Sequence, residues 1–310
     1  MGLLVFLPLV LPLTAWPLAQ PAAQHLHPRT ATWLLTGAAG ALALCSTLCL
    51  ALLMVVGTAQ LPGNPLPDAW SLPEVRAALP YDEVAGPAAI PALAAVLGSA
   101  AAAVWRARRV RRDCRRALAG LADGPVVVLP AAEPYAYALP GPGRHGGRVV
   151  VTTGLLSALD PAERRALFAH ERAHLAGRHH RFLTVVRLAA CANPFLRPLC
   201  SAVAYTTERW ADEAAAARVG NRRTVATAIG KAALLTRTTP PGLPAATAGP
   251  VPRRVAALLS PAPPALVWPP LRTAAGLATW SAAAGTTVSA LSSANSAVTL
   301  ICVLRTATAL

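Results

Sequence analysis

The chain has 310 residues, 55% of them hydrophobic and 13% charged, with 28 Lys and Arg against 13 Asp and Glu for a formal net charge of +15. Its apolar residues fall in long blocks rather than alternating with polar ones, which excludes an ordinary soluble domain and predicts an integral membrane protein. Of the six cysteines, Cys45 and Cys49 fall in the most apolar block, and Cys114, Cys191, Cys200 and Cys302 form no close metal-binding pair. A reducing compartment without a disulfide framework is expected.

Residues 1–20 are apolar but interrupted by Pro8, Pro12 and Pro17. No Lys or Arg precedes Arg29, so the positive region of a signal peptide is missing and a first transmembrane helix is expected. Residues 32–57 form an uncharged Leu/Ala-rich stretch long enough to cross a bilayer, and residues 85–105 a second, richer in alanine. Directly after it come Arg106, Arg108, Arg109, Arg111, Arg112, Arg115 and Arg116, whereas the preceding loop carries Asp68, Glu74, Asp82 and Glu83 against one arginine. The positive-inside rule therefore predicts a multi-pass protein of the cell membrane with the following domain, residues 106–265, in the cytoplasm. The basic run predicts contact with anionic membrane lipids; direct nucleic-acid binding is not expected.

Three short β-prone runs follow, at residues 125–130, 135–139 and 148–153, separated by Pro- and Gly-rich turns such as Pro140-Gly141-Pro142-Gly143. A small sheet there would let an extended peptide add as an edge strand. Asp160-Pro161-Ala162-Glu163 then supplies an N-cap acceptor, a proline at the first helical position and a carboxylate at the third, so a helix is predicted to start there.

About two turns into that helix lies His170-Glu171-Arg172-Ala173-His174. Two histidines at i and i+4 share a helical face, so both imidazoles reach one metal ion, and Glu171 stands one residue round as a general base. The pattern predicts a zinc metallopeptidase with one zinc per chain and a protein or peptide substrate. Two residues compete as third ligand. Glu208 lies in a second predicted helix, residues 199–219, with Asp212 one turn on; one carboxylate would bind metal while the other holds a ligating imidazole. His180 completes HExxHxxGxxH with Gly177 in place, but that pattern also rests on a downstream methionine, and the chain's methionines are Met1 and Met54. A proline-rich stretch, residues 239–252, reads as a loop or linker. Residues 273–304, uncharged and rich in Ala, Ser and Thr, predict a C-terminal span packed through small side chains.

The succession YAYALPG, RVVVTTGLLSALDPAERRALFAHERAHL, ANPFLRPL and ERWADEAAA, with Arg253-Arg254-Val255-Ala256-Ala257-Leu258-Leu259 after the proline-rich loop, resembles the zinc peptidase domain of the BlaR/MecR antirepressor family over roughly residues 126–259. It is more distantly similar to the HtpX-type and CAAX-prenyl membrane endopeptidases. The resemblance implies His170, His174 and Glu208 as zinc ligands, Glu171 as general base and Asp212 as supporting carboxylate. It implies cleavage of a cytoplasmic transcriptional repressor; a quality-control protease of HtpX type and a non-catalytic signalling protein are the alternatives. The chain departs from the antirepressors in showing no S-x-x-K penicillin-binding sensor after the last span. The expected fold is an α-helical membrane protein with an α+β zincin-like peptidase domain, an HExxH helix beside a small β-sheet.

Overall fold

The computed structural model describes residues 3–73, 75, 81–121, 124–141, 146–236, 251–263 and 272–308. The predicted turn at residues 142–143, and all of the stretch 239–252 except Val251 and Pro252, lie outside them.

Prolines break the N-terminal segment. Where one continuous span was expected over residues 1–20, the chain runs as a 3-10 turn (Leu3–Phe6), α1 (Leu7–Val10), another 3-10 turn (Leu11–Thr14) and α2 (Ala15–His25). A proline gives no N–H to the helical ladder and so leaves carbonyls unpaired. Neighbouring side chains take them up: Cys49 Sγ donates to Val5 O at 3.1 Å, Ser46 Oγ to Pro8 O at 2.7 Å and Asn193 Nδ2 to Leu9 O at 3.0 Å. The segment is thereby docked against the long helix α3 (Pro28–Ala59).

Three helices among the described residues are long and apolar enough to cross a membrane: α3, the Glu83–Ala117 part of α4 (Asp82–Ala117), and the Thr279–Thr306 part of a C-terminal helix, α11 (Ala274–Thr308). They overlap the predicted stretches 32–57, 85–105 and 273–304, but α4 continues past residue 105 because arginine and alanine are strong helix formers. α3 and α4 run antiparallel and cross where Gly57 meets Gly86; a Cβ on either would overlap the other's backbone. The N-terminal end of α3 and the arginine-bearing end of α4 therefore lie on one side.

The remaining chain builds on that side. Strands β1 (Val126–Leu129), β2 (Ala136–Leu139) and β3 (Arg148–Thr152) form a sheet in the order β1-β3-β2, with β3 parallel to β1 and antiparallel to β2. Central β3 is covered on both faces, which is why Val149, Val150 and Val151 run consecutively without a polar break. Val150 packs with Leu118 at the end of α4, and Val151 with Leu155, Leu159 and Leu167. Those leucines belong to α5 (Thr153–Ala158), the turn after it, and α6 (Pro161–Ala176). Helices α7 (His179–Ala192), α8 (Arg197–Val219), α9 (Arg222–Thr236) and α10 (Val251–Leu259) complete the domain. α8 crosses α6 and is tied to α3 through Thr32 Oγ1, which donates to Thr206 Oγ1 at 2.9 Å.

Candidate metal centre

The position of α6 is fixed at its first turn. Asp160 Oδ1 accepts from the N–H groups of Ala162 and Glu163, both at 2.8 Å, and Glu163 Oε2 accepts from Asp160 N–H at 2.9 Å, a reciprocal capping box. Leu167 packs against Val151 of the sheet, and His170, Glu171 and His174 follow on the same helical face, where the two histidines meet Glu208 of α8.

His170 Nε2 and His174 Nε2 stand 3.1 Å apart. Glu208 of α8 brings Oε2 to 3.5 Å from the first and Oε1 to 3.4 Å from the second. A tetrahedral zinc with bonds of about 2.0–2.1 Å keeps its ligand atoms roughly 3.3 Å apart, so the three groups already have the spacing of one shared cation. The fit extends to a polar atom the protein leaves short: buried Glu208 Oε2 has an ion-pair contact but no aligned hydrogen-bond donor. The His174 side chain is 16% exposed, so the cluster has one open side. These residues fit a divalent metal of zinc type.

Glu171 is buried at the border of β2. Burial pushes its carboxyl up to about 7, against the pull of His170, Arg254 and a hydrogen bond from the Ala138 backbone. A carboxyl balanced near neutrality both accepts and returns a proton.

The ligand groups are themselves held. His170 Nδ1 lies 3.0 Å from Asp212 Oδ1, at an angle short of a straight hydrogen bond. Arg254 of α10, 2% exposed, donates from Nε and Nη2 to the two oxygens of Asp212 at 2.8 and 2.7 Å, and its Nη1 sits 2.9 Å from Glu208 Oε2. Burial alone would raise Glu208, but His174, His170 and Arg254 bring it down to about 2; Asp212 is likewise held below the usual carboxylate range, chiefly by Arg254 against burial. In the metal-free chain, burial opposes charge on His170, yet Asp212 and Glu208 carry it up to about 10. Burial lowers His174 to about 4.

His174 has a partner of its own. Its Nδ1 is 2.9 Å from Nδ1 of His179, a 1%-exposed residue that burial, aided by His174, lowers to about 3. If His174 ligates through Nε2 its proton sits on Nδ1, so the hydrogen-bond pattern assigns His174 as donor and His179 as acceptor. Trp210 packs on the His179 ring at 4.6 Å, and Arg29 lies over the Trp210 ring at 5.5 Å. Gly177 makes this possible: a Cβ there would occupy the space of the His179 imidazole. Arg178, in the left-handed region at φ 51°, turns the chain so that α7 begins at His179.

The structure thus brings together His170, Glu171, His174, Glu208 and Asp212. Among the described residues the metal-type group is His170, His174 and Glu208, and His180 is not in it; His180 lies within the influence of Arg111, Arg178 and Arg181. Sequence reasoning missed two residues. His179 was hidden beside the better-matching His180, because Gly177, which clears the space for the His179 ring, reads equally well as part of the three-histidine pattern. Arg254 sits 42 positions from Asp212, and only the need of two buried acids for a cation pointed to it.

Residues 101–192 match the model of peptidase family M48. That match ends before Glu208, so the third member of the cluster is supplied by the fold. Over 105 residues the chain is 32% identical to the Protease HtpX of Hydrogenovibrio crunogenus (strain DSM 25203 / XCL-2), covering 34% of each protein. The chain thus spans about a third of the length of the curated relative it matches. No solved structure matches it.

Proposed function

We propose that this protein is a membrane-bound zinc metalloendopeptidase that hydrolyses peptide bonds of a cytoplasmic protein. The observation that carries the reading is the convergence of His170, His174 and Glu208 with buried Glu171 alongside. Zinc, held by the two imidazoles and the carboxylate, would supply a Lewis acid toward the peptide carbonyl and make water more acidic near neutral pH. Glu171 accepts the proton from the attacking water and returns it to the leaving nitrogen. Asp212 and His179 fix the proton-bearing face of each imidazole, leaving both Nε2 atoms as donors to metal. Arg254 bridges the two carboxylates and offsets one of their charges in a site where unpaired charge is costly. β2, bordering Glu171, is the strand along which an extended substrate lies.

The test is hydrolysis of an unfolded protein such as casein by the detergent-purified chain. Wild type cleaves, and Glu171→Gln keeps its zinc but loses cleavage; a Glu171→Gln protein that cleaves at the normal rate contradicts the assignment. For the substrate, the resemblance to the antirepressor family favours a transcriptional repressor, whereas the HtpX match favours a quality-control role toward membrane proteins. Cross-linking the inactive Glu171→Gln variant in cells separates them. A soluble DNA-binding protein in the adduct supports the first, and diverse membrane proteins support the second.

A further inference from the structure

Arginine occupies seven positions in the last third of α4. Five of them, Arg108, Arg111, Arg112, Arg115 and Arg116, recur at i, i+3, i+4, i+7 and i+8, and so share one helical face. Arg108, Arg112, Arg115 and Arg116 are exposed and Arg111 is half-buried. With Val104 on α4 and Thr184 on α7, this face lines an open groove of about 740 Å³ whose lining, among the described residues, includes no carboxylate. The nearby Asp113 instead stands 3.8 Å from Arg109, a residue outside the groove. Arginines three and four apart on a helix repel one another, and burial together with Arg111, Arg181 and Arg178 lowers His180, so further positive charge stands near Arg111. Protein acceptors engage only part of the set: Arg115 Nη2 donates to Pro140 O at 2.8 Å and Arg111 Nε to Ala107 O at 3.0 Å.

We propose that this groove is a binding site for the phosphodiester headgroup of an anionic phospholipid. Guanidinium groups clustered on one face match phosphate oxygens in charge and in fork geometry. Three features favour a lipid over a soluble phosphate. The groove opens where the apolar part of α4 ends, with Val104 in its wall. Next to it, Trp105 is 58% exposed, an aromatic at the level where bilayer meets water. Only 11% of the apolar window of α4 is buried by the protein, so acyl chains have a helix surface to lie against while the headgroup sits among the arginines. The proposal rests on α4 as a span and is independent of the metal site.

The experiment compares two double variants of equal charge. Arg108→Gln/Arg112→Gln removes two groove arginines, and Arg106→Gln/Arg109→Gln removes two outside it. Phosphatidylglycerol binding to the detergent-purified full chain is titrated by native mass spectrometry, with zinc content and thermal unfolding checked for each protein. The groove variant loses affinity by roughly tenfold or more, while the outer variant stays within about twofold of wild type. Equal loss in both variants overturns the proposal in favour of diffuse surface attraction. Displacement of the lipid by millimolar inorganic phosphate overturns it in favour of a soluble phosphate ligand, and displacement by an oligoglutamate peptide in favour of an acidic protein segment.

Discussion

His174 shows how a single side chain depends on its partner. A neutral imidazole has two tautomers, and with His174 Nε2 facing His170 and Glu208 only the one with a bare Nε2 can serve a metal there. The Nδ1 contact with His179 at 2.9 Å favours it when His179 accepts through its own Nδ1, the arrangement we propose. We therefore expect His179→Ala to weaken zinc binding by about 10- to 100-fold in competition with a chelator, with His180→Ala unchanged; equal affinities for wild type and His179→Ala would remove this role. Arg254→Met leaves Glu208 and Asp212 buried without their cation, a change expected to cost about 3–5 kcal/mol at neutral pH. Both carboxyls are depressed in the folded protein, so their contribution is fully present above their unfolded pKa near 4 and is lost as pH falls through the folded value, about 2 for Glu208. Thermal unfolding should show a deficit for Arg254→Met that is largest near pH 7 and shrinks below pH 4; a deficit constant with pH contradicts the ionic account.

At the level of elements, the sequence was most legible where structure is set locally. Asp160, Pro161 and Glu163 announce the start of α6 in four adjacent residues, and the expected cap, box and i, i+4 histidine face all appear. Asp160→Ala should lose about 1 kcal/mol, read as faster amide exchange in the first turn of α6 with zinc retained; unchanged exchange would show that packing alone fixes that turn. The strands, too, lie within or close to their predicted limits, because β-branched runs between turns are a local signal. Long-range relations were not legible. The proline-broken N-terminal segment is held by carbonyl acceptors for Ser46, Cys49 and Asn193, partners up to 184 positions away. The arginine that serves Asp212 comes from α10, and no spacing rule connects the two.

For the whole molecule, the antiparallel pairing of α3 and α4 has a consequence for topology. It places Thr32, tied to α8, the helix that carries Glu208, and the arginine end of α4 on the same side as the sheet and α6. The charge bias of α4 therefore orients the candidate metal centre as well, and the positive-inside rule predicts a cytoplasmic side for both, the orientation we propose. In intact cells, with native cysteines replaced, Ser71→Cys in the loop between the spans should react with a membrane-impermeant maleimide, while Ser157→Cys on α5 should react only after lysis. The reverse pattern would invert the molecule and exclude a cytoplasmic substrate.

The central claim is that one metal ion is held by His170, His174 and Glu208. Zinc per chain in detergent-purified protein tests it most directly, with Glu208→Ala and His180→Ala prepared identically and their folding checked by thermal unfolding. The account predicts about one zinc in wild type and in His180→Ala, and its loss in Glu208→Ala. Zinc retained in Glu208→Ala but lost in His180→Ala, or absent from well-folded wild type, would contradict it.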